Sequence, residues 1–395
     1  MVTLEKMAHL AQESRFDSLG PALNVDPEKL RSLGEGTKHD VCASTFSPRN
    51  QALPGICHAF THDGRCVSLF KTLYTNLCGH SCNYCTNATN CRKKLMAFSY
   101  TPEELAGITL SLYRSNYIEG LFLSSGSGRN EDYIMERMVE TARILRHNHG
   151  FEGYIHLKVL PGASHSHIQE AMELSDRVSI NLEVSTASHM NEISATKNYE
   201  SDILQRQRYI RDLMTKANLP AGQTTQLMVG AIPESDEEIF KRVIYEYQEI
   251  GIRRAYYSAF CPQKGTVFDT RMQQPVWREH RLYQMDWLYR VYHFQPREIV
   301  CAFDENGFLA NHDPKMAIAQ QMMDSPLDPN VASYNELLKV PGIGPRSAQR
   351  IIALRKRQPI ARKTELAVLG VTIKRASPFL KINGWRDTTL EMWSN

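Results

Sequence analysis

The sequence predicts an α/β fold in which six strand–helix units form an incomplete barrel, followed by a small all-helical module. Three observations carry this expectation. Strand-like and helix-like segments alternate across residues 68 to 260, two of the strands have one wholly polar face, and basic charge is concentrated after residue 330.

The strand-like runs are "SLFKTLYT" (68 to 75), "IEGLFLSS" (118 to 125), "GYIHLKVL" (153 to 160), "RVSINLEVS" (177 to 185), "TTQLMVGAI" (224 to 232) and "RRAYYSAF" (253 to 260). Helical patterns separate them. "TPEELAGITLSLYRS" offers Thr101 as N-cap, Pro102 at the first helical position and Glu104 in the capping-box place. "RNEDYIMERMVETARILRHNHG" repeats Ile134, Met138, Ala142 and Leu145 and stops at Gly150, and "ESDEEIFKRVIYEYQEIG" begins acidic and ends in Gly251. Six such units in succession imply parallel strands with right-handed crossovers.

Strand faces select a barrel over a doubly wound sheet. In "RVSINLEVS" the set Val178, Ile180, Leu182, Val184 is apolar and Ser179, Asn181, Glu183, Ser185 is polar. Ile155, Leu157 and Val159 likewise oppose His156 and Lys158. A sheet covered on both faces reads as continuous apolar runs instead. These strands therefore suggest a partial (βα)6, TIM-like barrel, helices outside, with a lumen for a polar ligand lined by His156, Lys158, Asn181 and Glu183.

At 395 residues and 42% hydrophobic composition the chain has room for two or three domains. The first twenty residues carry interspersed charges, and no stretch approaches ~18 uncharged apolar residues, so a cytoplasmic protein is expected. The nine cysteines then read as thiols or metal ligands rather than disulfides. Net charge is only +3. Residues 331 to 395, however, hold twelve Lys/Arg against four Asp/Glu, a balance of +8 that leaves −5 for the rest. Such asymmetry points to a polyanionic partner.

"CGHSCNYCTNATNC" (78 to 91) follows the first strand, at the end of a barrel where enzymes place their chemistry. Cys78, Cys82 and Cys85 form C-x3-C-x2-C, a spacing that lets three thiolates wrap one iron–sulfur cluster. Zinc is the competing reading, with Cys91, Cys57 or Cys66 as fourth ligand. The motif, with Tyr84 before its last cysteine, resembles the radical S-adenosylmethionine (SAM) superfamily. That resemblance implies a [4Fe-4S] cluster on the three cysteines, SAM on its open iron, reductive cleavage to a 5'-deoxyadenosyl radical, and an electron donor such as flavodoxin or ferredoxin. It also implies site residues. Ser124, Ser125 and Gly126 stand where the family carries a Gly-Gly-Glu-like turn toward the SAM amine, here without the acid. Glu183 matches a ribose contact, the alternative being a buried carboxylate paired with Lys158 or His156. Gly230 and Ile232, in "MVGAIPESDEE", match a segment beside adenine, and Tyr84 would lie near the base or serve as core.

"NELLKVPGIGPRSAQRIIALRKR" (335 to 357) reads helix, tight turn, helix and is similar to the helix–hairpin–helix of DNA-repair proteins. Gly342, Ile343 and Gly344 would bring backbone N–H groups to a phosphate, with Arg346, Arg350 and Lys356 reaching its neighbours. A degenerate second copy follows at "TELAVLGVTIKRASPFL". The alternative is a protein-docking or structural hairpin.

Together the halves resemble DNA modification/repair radical SAM proteins encoded beside a uracil-DNA-glycosylase-like partner, which makes that partner an expectation here. By analogy with spore photoproduct lyase, Cys261 at the end of the sixth strand is the candidate hydrogen-atom donor, or else an inert thiol. Cys42, Cys57, Cys66 and Cys91 are candidates for an auxiliary cluster. The expected organisation is an N-terminal extension on the barrel (1–66), the barrel (67–300), a linker (301–330) and a helix–hairpin–helix DNA-binding domain (331–395). Radical chemistry on RNA, and a non-catalytic zinc-containing DNA-binding protein, stay open as alternatives.

Overall fold

The computed structural model describes residues 28–29, 56–60, 66–92, 96–215, 219–382 and 385–386. Two units are distinguished: residues up to Glu234 with Lys241–Gln274, and Ser235–Phe240 with Pro275–Asn395.

The first unit contains, in chain order, β1 (Ile56–Phe60), β2 (Cys66–Leu73), α1 (Pro102–Arg114), β3 (Gly120–Ser124), α2 (Glu131–Arg143), β4 (Tyr154–Lys158), α3 (His165–Leu174), β5 (Arg177–Ser179), α4 (Ala187–Ile193), α5 (Gln205–Met214), β6 (Gln223–Val229), α6 (Asp236–Tyr245) and β7 (Arg254–Ala259); the division between units falls within α6. The seven strands form one sheet in strictly sequential order, antiparallel between β1 and β2 and parallel from β2 to β7. A doubly wound sheet reverses its strand order at a switch point; this one does not. Crossovers of one hand therefore stack the helices on one face and leave the other as the lumen of a partial barrel.

Local chemistry fixes the elements as the sequence reads. The Thr101 hydroxyl accepts the Glu104 N–H at 3.1 Å and the Glu104 carboxylate accepts the Thr101 N–H at 3.3 Å, a complete capping box with Pro102 in the first turn. Asn130 caps α2 by accepting the Tyr133 N–H at 3.0 Å. Val178, Ile180, Leu182 and Val184 are fully buried on the helix side.

Two elements differ from expectation. β1 lies in the segment read as an extension, yet it joins the sheet as an edge strand, Ile56 opposite Phe70 and Phe60 opposite Cys66. β5 ends at Ser179 rather than Ser185. The Thr225 hydroxyl donates to the Ile180 carbonyl at 2.8 Å and accepts the Leu182 N–H at 3.1 Å, so a side chain interrupts the backbone ladder. Pairing resumes at Glu183, whose N–H reaches the Gln226 carbonyl at 2.9 Å and whose carbonyl accepts the Met228 N–H at 2.7 Å.

The second unit is helical: α7 (Val276–Arg290), α8 (Pro296–Ile299), α9 (Pro314–Met322), α10 (Tyr334–Lys339), α11 (Pro345–Arg355), α12 (Lys363–Val368) and α13 (Ile373–Ala376), closed by a short hairpin of β8 (Lys381–Ile382) and β9 (Trp385–Arg386). Its core gathers Leu337, Leu338, Val340, Ile343, Ala348, Ile351, Leu366 and Phe379. Truncating one such leucine to alanine costs about 2–5 kcal/mol. No helix among the described residues is long and apolar enough to cross a membrane.

Candidate functional site

The chain leaves β2 at Leu73 and returns along the tops of the parallel strands, where one pocket collects their C-terminal ends: Leu73 of β2, Ser124 of β3, Lys158 of β4, Asn181 and Glu183 after β5, Met228 of β6 and Ala259 of β7. Cys78, Cys82, Cys85, Tyr84, Ser124, Ser125, Gly126, Glu183 and Cys261 all line it. The three motif cysteines are free thiols. Gly230 and Ile232 do not line the pocket. Gly230 turns the chain at φ +78° and Ile232 is packed at 4% exposure, while Gln226 and Met228 present the lumen side of β6 instead. His156 is also outside it, because its Nε2 lies 2.8 Å from the Ser179 hydroxyl and its ring stacks on Phe122 at 4.4 Å.

The cysteine loop is clamped from several sides. Cys78 bridges to Gly128 beyond β3, and a Cβ on Gly79 would meet the Gly128 carbonyl at 2.6 Å, so only glycine permits this approach. The Gly126 N–H donates to the Thr75 carbonyl at 2.8 Å and the Ser125 hydroxyl accepts the Thr75 N–H at 3.3 Å. The Ser124 carbonyl is taken by the Tyr74 N–H at 2.8 Å, which leaves the carbonyls of Ser125 and Gly126 as the acceptors this turn can offer. Across the loop, the Asn83 N–H reaches the Ile193 carbonyl at 2.8 Å, the Cys82 thiol donates to the Ser194 hydroxyl at 3.6 Å, and the Thr196 hydroxyl accepts the Ser81 N–H at 3.0 Å. Ser127 Oγ stands 3.5 Å from the Cys78 sulfur. Hydroxyls beside sulfur orient and tune metal-bound thiolates.

Burial pushes the Cys82 thiol up and the Cys85 thiol up to about 12. Two lysines line the pocket, Lys158 of β4 and Lys197 on the loop after α4; Lys197 is the one the thiols act on. Burial works against its charge, but Cys82, Glu183, Cys78 and Cys85 outweigh that and hold its pKa above the ordinary lysine value. Its Nζ is 3.8 Å from Glu183 Oε1, and Asn181 Nδ2 donates to the same oxygen at 3.3 Å. Tyr84 is 7% exposed; burial, then the Glu183 charge, hold its phenol well above the usual tyrosine range, and its hydroxyl bonds to Glu183. Glu183 itself sits at φ +66°, a conformation that non-glycine residues rarely take. Lys197 is thus an ion partner of Glu183 that the sequence did not single out, while His156 is spent on Ser179 and Phe122. Sequence reading missed Lys197, His80, Asn87, Ser127 and Gln226, which line the same pocket.

Among the described residues the other candidate cysteines stand in separate settings. Cys42 lies outside the described residues. Cys57 is disulfide-bonded, which overturns the expectation that every cysteine is a thiol or ligand; a compartment argument concerns averages and does not bind one residue brought to a partner. Cys66 is exposed, and Cys91, 3% exposed, donates to the Gly265 carbonyl at 3.4 Å. Among the described residues no three His, Cys, Asp or Glu converge closely enough to hold a single metal ion.

In the second unit, α10 is capped by Ser333 with Glu336, and Pro341-Gly342-Ile343-Gly344 turns the chain into α11. Gly342 has φ +86°, and a Cβ there would meet the Thr372 carbonyl at 2.6 Å. The Thr372 N–H donates back to the Gly342 carbonyl at 2.9 Å, joining the first turn to the second, whose Gly370 has φ +87°. Ile343 is 1% exposed and its N–H is spent on the Val340 carbonyl at 3.1 Å, so neither its side chain nor its amide is open to a ligand. Arg346, Arg350 and Lys356 are exposed. Arg350 also donates to the Leu369 carbonyl at 3.5 Å.

Residues 324–374 match the family model described as "Helix-hairpin-helix motif". No curated protein matches the chain by sequence. Among solved structures the chain is similar to methylornithine synthase (PylB), at 13% identity over 52% of this chain and 56% of that one, TM-score 0.42. It is also similar to the FeFe-hydrogenase maturase HydG from Carboxydothermus hydrogenoformans, at 12% identity over 71% and 61%, TM-score 0.44. A third is the radical S-adenosylmethionine methyltransferase TsrM from Kitasatospora setae, at 11% over 60% and 44%, TM-score 0.38. The matched part spans between 44% and 61% of these proteins, too little and too distant to assign an activity.

Proposed function

We propose that this chain is a radical SAM enzyme that repairs or modifies a base or sugar of DNA. The observation that carries the reading is the convergence of three free thiols from one loop with Glu183, Tyr84 and the buried Lys197 on a single pocket at the strand ends. The donor set fits a [4Fe-4S] cluster on Cys78, Cys82 and Cys85, with SAM beside it. When bound, the pair supplies hydrogen-atom abstraction, chemistry that belongs to the cofactors.

The chain's own residues bind and orient. Ser127 and Ser194 support the Cys78 and Cys82 sulfurs, and Lys197 offsets the negative charge that three thiolates and Glu183 bring into one buried site. Glu183, held by Asn181 and Tyr84, presents a carboxylate suited to a ribose diol. Cys261, which lines the β7 side of the same pocket, would be the thiol that returns a hydrogen atom to substrate. Residues 67–300 would form the catalytic barrel on which residues 1–66 pack, and after a linker, 331–395 would hold the nucleic-acid backbone with little sequence preference. A one-electron donor of flavodoxin or ferredoxin type and a uracil-DNA-glycosylase-like protein complete the proposed partners.

The test is anaerobic reconstitution. The reading expects a broad visible absorbance that dithionite bleaches, followed by release of 5'-deoxyadenosine from SAM, faster with DNA than with RNA. Colourless protein carrying stoichiometric zinc would overturn it, and faster turnover with RNA would transfer the same chemistry to the other polymer.

A further inference from the structure

Lys315, in the first turn of α9, is 7% exposed. Its ammonium donates to the Ile343 carbonyl at 2.6 Å and lies 4.5 Å from the centre of the Tyr292 ring. The Tyr292 hydroxyl in turn sits 3.3 Å from where a Cβ on Gly344 would stand. A buried lysine with one carbonyl partner is costly unless its charge is used.

The carboxylates of the surrounding elements are engaged elsewhere. Asp313, the cap of α9, accepts the Lys315 backbone N–H at 2.9 Å and pairs with Arg375; Glu298 pairs with Lys339, Asp286 with Arg290, and Asp236 with Arg278. Burial alone lowers the Lys315 pKa to about 7. Tyr292, the titratable group under the ammonium, is itself raised, by burial first.

The Ile343 carbonyl and the Gly344 N–H belong to one trans peptide, in which the two point in opposite directions. Clamping the carbonyl inward therefore turns the amide outward. We infer that Lys315 is a positioning residue of the hairpin: it aims the Gly344 N–H at a nucleic-acid phosphate and sets a positive charge behind it, so that phosphate engagement and Lys315 protonation favour each other. Summed bond lengths put the ammonium roughly 7–8 Å from such a phosphate, close enough for about a tenfold effect on affinity at the dielectric of a protein surface. The inference rests on reading the hairpin as a phosphate-binding interface.

Phosphate raises the lysine's pKa on binding, so affinity is full below pH 7 and falls as pH rises through that value. The experiment uses the full chain and a fluorescent 20-base-pair duplex, titrated at pH 6.5 and 8.5 at fixed salt, for wild type, Lys315→Met and Lys315→Gln. Wild type should weaken about fivefold to tenfold over this range, and the variants should be weaker at pH 6.5 and lose that pH dependence, which also separates Lys315 from His312 and the other histidines. Should both variants misfold, calorimetry of wild type at pH 7.5 in two buffers of different ionisation enthalpy decides, with net proton uptake on binding as the expected result. Binding without uptake, or variants with the wild-type pH slope, overturns the inference alone. No duplex binding at low salt overturns the interface reading, and the inference with it.

Discussion

Lys197 Nζ and Glu183 Oε1 stand 3.8 Å apart, 10% and 7% exposed, between the thiol loop and the top of β5. Neither residue can be lost singly without stranding a buried charge. Lys197→Met should destabilise the protein by about 3 kcal/mol, and the double variant with Glu183→Gln should recover most of it. Urea unfolding of the two single variants and the double variant checks this. Equal, additive losses would mean that the pair is not coupled.

The three proposed ligand positions should behave alike and unlike Cys91. Alanine at Cys78, Cys82 or Cys85 should each abolish the visible absorbance after reconstitution. Cys91→Ser should retain iron, because its thiol serves the Gly265 carbonyl, a contact a serine hydroxyl can also make. Iron and sulfide assays on purified protein decide the point.

Gly342 and Arg346 should separate folding from binding. Gly342→Ala meets both the φ of +86° and the Thr372 carbonyl at 2.6 Å, so it should cost more than about 1 kcal/mol in thermal unfolding. Arg346→Ala, at an exposed position, should leave the melting temperature within a degree or two. It should also weaken duplex binding and reduce the slope of log K against log salt by about one.

Lys315 predicts a pH effect of opposite sign on stability. Its pKa is about 7 folded and near 10.4 unfolded, so between those values the unfolded chain binds the extra proton. Stability of the helical unit should thus rise with pH from 7 toward 10 and be lost as pH falls toward 7, at up to about 1.4 kcal/mol per pH unit. The difference between wild type and Lys315→Met in urea midpoint at pH 7 and pH 9 measures it. A constant difference would refute the buried-charge account.

The strands and their polar face were legible because period-two alternation survives burial, and the C-x3-C-x2-C spacing pointed to the loop after β2, whose three cysteines line the pocket. The polar set that holds Glu183 was read from the same alternation, its proposed role from the resemblance. Lys197 was not, since a lone lysine in "SATKN" carries no periodicity and enters the pocket only because Ser194 and Thr196 fasten that loop to the cysteine loop. Gly230 and Ile232 were nominated by the resemblance of "MVGAIPESDEE" alone; the chain turns at Gly230, just past the end of β6, and neither residue lines the pocket. Ile343 was read as a contact by its place in the hairpin, whereas its apolar side chain belongs to the core beneath.

The sheet begins at β1 and stops at β7, and among the described residues these two edges do not pair. A cylinder hydrogen-bonded all round has a bore fixed by its strand number, whereas a sheet whose first and last strands do not pair can tighten or relax its curl without breaking a ladder, so the width of its lumen is adjustable.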